Sequence, residues 1–218
     1  MTRPPTAGAL VNVAPIGVFA PDLLTTVVET IRCVFGLECS VAPLIDEIAF
    51  AYDSERKQYH STAILERLTE VAPADDFKVL DSNGKILAPT RKMLASTRKI
   101  LASTRKILAI TREDLFIPIL THVYGEAQLG GTSCVVSTHR LGEGISMVNA
   151  RGRYLDRVAK EAAHELGHTF DLRHCQDAVC IMHYCRSIDD VDHKKSDLCR
   201  YCRVLFGDYF KKRNICAT

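Results

Sequence analysis

The sequence predicts an α/β domain built around one chemistry-bearing helix. Three observations lead there: short β-rich runs alternate with amphipathic stretches, 47% of the 218 residues are hydrophobic, and residues 164 to 175 read HELGHTFDLRHC. That hydrophobic share is enough to fill one sizeable core, so residues 1–218 are expected to form a single domain.

Hydrophobic periodicity places a strand near Ala9 to Val13, a helix from about Pro21 to Phe35, and a second strand near Glu38 to Leu44. Another helix is expected over 61–71, where Ala63, Ile64, Leu65 and Leu68 form a broad apolar stripe. Polar and acidic residues follow at Pro73 to Asp76. The segment VVSTHRL at 135 to 141 reads either as an exposed edge strand that pairs with an extended peptide or as an interior strand. A long helix is expected from about Arg153, with Leu155, Val158, Ala162 and Leu166 on its buried side.

A tandem repeat interrupts this series. TRKMLAS, TRKILAS and TRKILAI start at Thr90, Thr97 and Thr104, with an echo NGKILAP at 83 to 89. The period of seven sends Leu94 and Leu101 to opposite faces of a strand, whereas a helix returns to within about 20° after seven residues. The copies therefore suit a helix, and 83–103 is read as an insertion. ILAIT followed shortly by DLF resembles the strand that enters the core in the archaemetzincin family, so the last copy, Lys106 to Thr111, is expected to be that strand.

On the long helix His164 and His168 are four positions apart, so both imidazoles leave one face and can share a zinc ion. Glu165 lies between them, placed to take a proton from a metal-activated water and pass it to a leaving amine. His174, six residues after His168, completes a three-histidine set that leaves a fourth position open; its alternative is a polar loop residue. Downstream stand Cys175, Cys180, Met182, Cys199 and Cys202, and the CxxC of the last pair is a spacing typical of zinc thiolates.

The order of these residues resembles the metzincins, and the run from Cys175 through the distant CxxC resembles the archaemetzincin family in particular. RKQYHSTAILERL at 56 to 68, DLFIPILTHVYGEAQLGG at 114 to 131 and VVSTHRL look similar to segments of that family, so the resemblance covers most of the chain. It implies a metzincin-like α/β domain with a twisted mixed sheet, an active-site helix and a small zinc-stabilised C-terminal subdomain. It also implies an upper half of about 1–174 and a lower half of about 175–218. By the same resemblance His164, His168 and His174 carry a catalytic zinc, and Glu165 is the base. Met182 lies in the turn beneath the metal, and Cys175, Cys180, Cys199 and Cys202 hold a structural zinc. Two Zn²⁺ per chain are therefore expected. Asp171 departs from the pattern, standing where the family has a glycine in a left-handed turn; aspartate enters that region at a cost of about 1 kcal/mol.

Five cysteines remain: Cys33, Cys39, Cys134, Cys185 and Cys216, of which Cys185 is the rival ligand. An odd count of nine and the CxxC favour reduced thiols over disulfides. No apolar run approaches the roughly 18 residues that cross a bilayer, and the N-terminal segment does not read as a secretory signal. A cytoplasmic chain without a membrane partner is expected. Seven basic residues fall between Arg91 and Arg112 although net charge is only +2. No aromatic residues interleave to stack on bases, so a solvated face is preferred to nucleic-acid binding. Lys194, Lys195, Arg200 and Arg203 around the second cysteine pair read the same way. Tyr184, His183 and His193 are taken as packed or surface residues, with Tyr184 the candidate for an oxyanion donor. The function expected is hydrolysis of a peptide or protein substrate; the alternative is a catalytically silent, zinc-stabilised module that binds peptides.

Overall fold

The structure, a computed structural model, describes residues 10–71, 79–80, 86–87, 105–145 and 150–212. In chain order β1 (Leu10–Pro15), α1 (Pro21–Phe35) and β2 (Glu38–Val41) open the fold, followed by β3 (Tyr52–Asp53), β4 (Gln58–His60) and α2 (Ser61–Val71). Next come β5 (Val79–Leu80), β6 (Ile86–Leu87), β7 (Arg105–Thr111), β8 (Leu115–Phe116), β9 (Gly125–Ala127) and β10 (Ser133–Ser137). Three helices complete it: α3 (Ala150–Thr169), α4 (Ile188–His193) and α5 (Arg200–Lys212).

The main sheet has the order β2-β1-β7-β10-β9, parallel except for the antiparallel edge strand β9. Side chains alternate across it as strand geometry requires. Val11, Val13, Leu108, Ile110, Cys134 and Val136 face the core that includes residues of α1, α3 and α5, while Ala14, Ile107, Ala109 and Val135 face the core that includes α2. Coverage on both faces explains why β7 and β10 read as continuous apolar runs. Strands β3-β4-β8 form a second, small sheet, and β5 pairs with β6 antiparallel.

Most predicted elements are present with shifted ends. The first strand runs on to Pro15 because its pairing with β7 continues to Ile110. The second ends at Val41, since Pro43 has no N–H to offer a ladder and restricts the residue before it. The long helix starts at Ala150, three residues earlier than Arg153. The last repeat copy is the strand β7, which excludes one uninterrupted helix from Arg91 to Thr111; the earlier copies and Cys216 lie outside the described residues. VVSTHRL supplies an interior strand, with β10 between β7 and β9, and the edge beside it is β9.

The solvated-face reading fails at Lys106, whose side chain is buried. Its ammonium donates to the Gly131 carbonyl (2.6 Å), to the Thr169 carbonyl (2.8 Å) and to the Tyr209 hydroxyl (3.0 Å). Thr169 is the last residue of α3, so a cation meets the negative end of that helix. Phe170 follows, packed among Phe35, Phe206, Tyr209 and Phe210. Together these contacts fix the C-terminal end of α3, where His168 sits. Among the described residues no helix is long and apolar enough to cross a membrane.

Candidate active site

The last two turns of α3 bring His164, Glu165 and His168 to one side of a cleft of about 680 Å³. His164 Nδ1 faces the Ile181 carbonyl at 2.8 Å and His168 Nδ1 faces the Leu172 carbonyl at 2.7 Å. A carbonyl only accepts, so each Nδ1 carries the proton and donates it, which leaves both Nε2 lone pairs pointing inward. The two Nε2 atoms are 3.1 Å apart.

His174 returns to this pair because the helix ends in a left-handed turn. Asp171 has φ 63°, the Asp171 N–H donates to the His168 carbonyl (2.9 Å), and the Leu172 N–H reaches back to Gly167 (3.2 Å). This is the double bond pattern of a Schellman cap, with aspartate where glycine is favoured. The Gly130 N–H also donates to the His168 carbonyl at 2.9 Å, tying the loop after β9 to the helix end. The ligand atoms of the three histidines lie within 4.8 Å of one another.

Burial holds all three imidazoles below the ordinary histidine range, His164 well below it and His168 to about 4, with the Lys194 ammonium adding to the effect on each. They are therefore neutral near pH 7, the state that can donate a lone pair to a metal. Three neutral nitrogen donors, two of them with their tautomer fixed by a carbonyl, suit zinc, and the donor set fits it.

The turn beneath carries Met182, fully buried, with its sulfur against Gly167 of α3. A side chain at Gly167 would occupy the place of that sulfur. The same turn offers the Ile181 carbonyl to His164 and accepts the Cys175 N–H on the Met182 carbonyl at 2.8 Å, so it joins the histidines to a second cluster. There Cys175, Cys180, Cys199 and Cys202 place their sulfurs within 4.8 Å of one another. The Cys202 N–H points at the Cys199 sulfur (3.4 Å) and the Cys199 N–H at the Cys180 sulfur (3.3 Å), which favours thiolates. Burial works against that charge and pushes Cys180 up to about 11 and Cys202 higher still. Four packed thiolates thus require a dication beside them, and the set fits a closed zinc site.

Glu165 is buried at the cleft floor, and burial together with the nearby Glu161 raises its proton affinity well above the usual carboxylate range. Lys194 opposes that rise. Against the solvated face expected of it, its side chain is 0% exposed and lies 2.6 Å from Glu161, one helical turn before Glu165, because the carboxylate offsets the burial of its charge. On the other side the edge strand closes against Glu165. A Cβ on Gly125 would stand 2.5 Å from Glu165 Cγ and 2.7 Å from the Val135 carbonyl, so only glycine fits there.

Sequence reading did not find β9, Gly125, Glu126 or the Glu161–Lys194 pair. A buried acid four residues before Glu165 was a usable signal for Glu161, whereas the lysine that meets it lies thirty-three positions away with no local signature. Tyr184 is exposed with its ring 4.9 Å from that of His174. His183 turns its Nδ1 to the Cys175 carbonyl (2.9 Å), and His193 is exposed. Cys185 lies outside the four-cysteine cluster, on the cleft wall near Glu161 and Lys194.

Comparison with known proteins covers most of the chain. The sequence model described as peptidase family M54 matches residues 43–206. The archaemetzincin of Halobacterium salinarum is 30% identical over 197 residues, which are 88% of this chain and 96% of that protein. The crystal structure of archaemetzincin from Methanopyrus kandleri superposes with a TM-score of 0.69 at 27% identity, covering 95% of this chain and 98% of the other. A zinc-dependent peptidase from Methanocorpusculum labreanum superposes with a TM-score of 0.67 at 28% identity, covering 90% and 99%.

Proposed function

Because this chain belongs to peptidase family M54, the archaemetzincins, and is therefore a zinc metallopeptidase, we propose that it cleaves peptide bonds with Glu165 as general base at a zinc held by His164, His168 and His174. A second zinc is held by Cys175, Cys180, Cys199 and Cys202, giving two per chain. The chain acts as one catalytic domain whose upper half ends at His174 and whose lower half carries the cysteine centre. The observation that carries the reading is the convergence of three neutral imidazoles and one proton-avid carboxylate at the floor of a cleft bounded by a sheet edge.

Zinc at the histidines would supply Lewis acidity to water and to the carbonyl under attack. The side chains divide the remaining work. Glu165, whose burial raises its affinity for a proton, takes one from the attacking water and returns it to the departing amine. The Ile181 and Leu172 carbonyls keep His164 and His168 in the tautomer that presents Nε2.

The edge strand orients the substrate. The Gln128 N–H donates to Ser133 and the Ser137 N–H to Tyr124, so the even-numbered residues of this stretch bond to β10. In an antiparallel ladder the alternate residues, Gly125 and Ala127, then turn their N–H and C=O groups outward, where an extended peptide can add as a further strand.

The test is cleavage of a peptide library by wild type and Glu165→Gln, followed by mass spectrometry, with zinc content measured on both. The expected result is hydrolysis in wild type that falls at least about 10²-fold in the variant while its zinc is retained. Equal behaviour of the two proteins would replace the enzyme with a peptide-binding module.

A further inference from the structure

The cleft is lined by two chain segments of unlike character. Residues 117–129 contribute Ile117, Leu120, Val123 and Leu129, whereas the segment that follows α3 contributes Arg173 and Arg186. Arg173 directly precedes His174, and Arg186 follows by two residues Tyr184, whose ring lies 4.9 Å from that of His174. Both arginines line the cleft from the chain segment that carries His174.

The acidic groups of the same cleft are already engaged. The Glu126 carboxylate accepts from Ser61 Oγ at 2.5 Å and from Thr62 Oγ1 at 3.0 Å. Glu161 is paired with Lys194 at 2.6 Å, and Glu165 is given to proton transfer. Among the described residues neither the Arg173 nor the Arg186 guanidinium has an ion pair or a hydrogen bond; the bond that Arg186 makes, to Asp190, comes from its backbone N–H. Both residues are exposed, so neither charge carries a burial cost that a protein partner must offset. What remains uncompensated where a substrate lies is a pair of planar, permanently charged forks, whose geometry matches carboxylates.

We propose that Arg173 and Arg186 make this peptidase selective for substrates that carry a carboxylate close to the cleaved bond, on the part of the peptide that lies along the His174 side. The inference rests on the peptidase reading above and names its substrate class. An aspartate or glutamate side chain and a free C-terminal carboxylate offer the same chemistry, and the peptides used separate them.

Three matched peptides serve as probes for the zinc-loaded enzyme: one with an internal Asp series and an amidated end, one neutral with a free C-terminal carboxylate, and one neutral and amidated with Asn in place of Asp. For at least one carboxylate peptide kcat/KM is expected to exceed that of the neutral peptide by about tenfold, the size two exposed ion pairs supply. The difference is carried by KM and shrinks as ionic strength rises. Preference for the Asp peptide assigns the contact to side chains, and preference for the free end assigns it to the terminus; either supports the inference. In Arg173→Ala/Arg186→Ala the ratio of carboxylate to neutral substrate collapses toward one. In Arg173→Glu/Arg186→Glu a Lys-containing peptide becomes the favoured one, an inversion that a merely unstable protein does not produce. Equal cleavage of all three peptides by wild type overturns the inference and leaves the peptidase reading standing. Cleavage of none overturns the peptidase reading. Fluorescein-labelled forms of the same peptides, followed by anisotropy, then decide the inference: tighter binding of a carboxylate peptide that is lost in the double Ala variant supports it, and equal binding overturns it.

Discussion

Replacing Lys194 by methionine isolates the buried charge behind the active site. The Lys194 side chain is 0% exposed and that of Glu161 4%, with Nζ 2.6 Å from Oε1. The approach is close but off the hydrogen-bonding direction, so the two are held chiefly as an ion pair. Burial works against the ammonium, yet Glu161 and the Cys185 thiol outweigh it and hold the Lys194 proton above the ordinary lysine range. Methionine keeps the length and removes the charge, leaving a carboxylate buried on the same helix face as Glu165. Stranding one member of a buried pair costs about 3–5 kcal/mol. At about 2–4 °C per kcal/mol for a chain of this size, Tm falls by roughly 6–20 °C. The assay is thermal and urea unfolding of the zinc-loaded protein at a fixed free-zinc concentration, because bound metal itself raises Tm. Glu161→Leu/Lys194→Met removes both charges and is expected to recover most of the loss. A single variant within about 1 kcal/mol of wild type, or a double variant as unstable as the single one, would show that the two charges do not depend on each other.

Asp171→Gly relieves a left-handed residue at φ 63° and should stabilise the fold by about 1 kcal/mol in urea unfolding; an unchanged or lower midpoint contradicts the cap assignment. Gly125→Ala puts a Cβ 2.5 Å from Glu165 Cγ, so kcat/KM should drop at least about 10²-fold through misplacement of the base, and near-normal turnover would show that the strand can give way. Asp192 is held below the usual carboxylate range first by its bonds from Arg157, against the opposing effect of burial. Its stabilising contribution is therefore complete above its unfolded pKa of about 3.9 and is lost as pH falls through the lower folded value. The stability difference between wild type and Asp192→Asn should shrink below about pH 4, and a difference that grows with acid would show that Asp192 does not stabilise the fold as a carboxylate.

The chemistry was more legible in the sequence than the scaffold that aims it. His164 and His168 are read from helical spacing alone, and the spacing of Cys175, Cys180, Cys199 and Cys202 survives folding because each member lies in a tight local turn or at a helix start. The left-handed turn at Asp171 was legible only through the family resemblance, which puts a glycine there, and aspartate does take it up, at φ 63°. What escaped depends on contacts between distant segments. Gly-Glu-Ala at 125–127 has neither strand length nor alternation, and it is a strand only because β10 lies beside it. Lys106 looked like one more cation in a repeat, and only the arrival of Gly131, Thr169 and Tyr209 turns it into a buried clamp. The strand in the last repeat copy was legible only through the resemblance of ILAIT followed by DLF to a family strand, since the seven-residue period by itself suits a helix.

Two separate zinc centres are expected in one chain, one on His164, His168 and His174 and one on the four cysteines. The decisive measurement is zinc per chain, counted by elemental mass spectrometry on wild type, His164→Ala and Cys199→Ser. About two ions are expected in wild type and about one in His164→Ala, with hydrolysis lost and the fold kept. Cys199→Ser should also lose zinc, and with it thermal stability. One ion in wild type that His164→Ala leaves in place would contradict the expectation of two centres, because the histidines would then hold no metal at all.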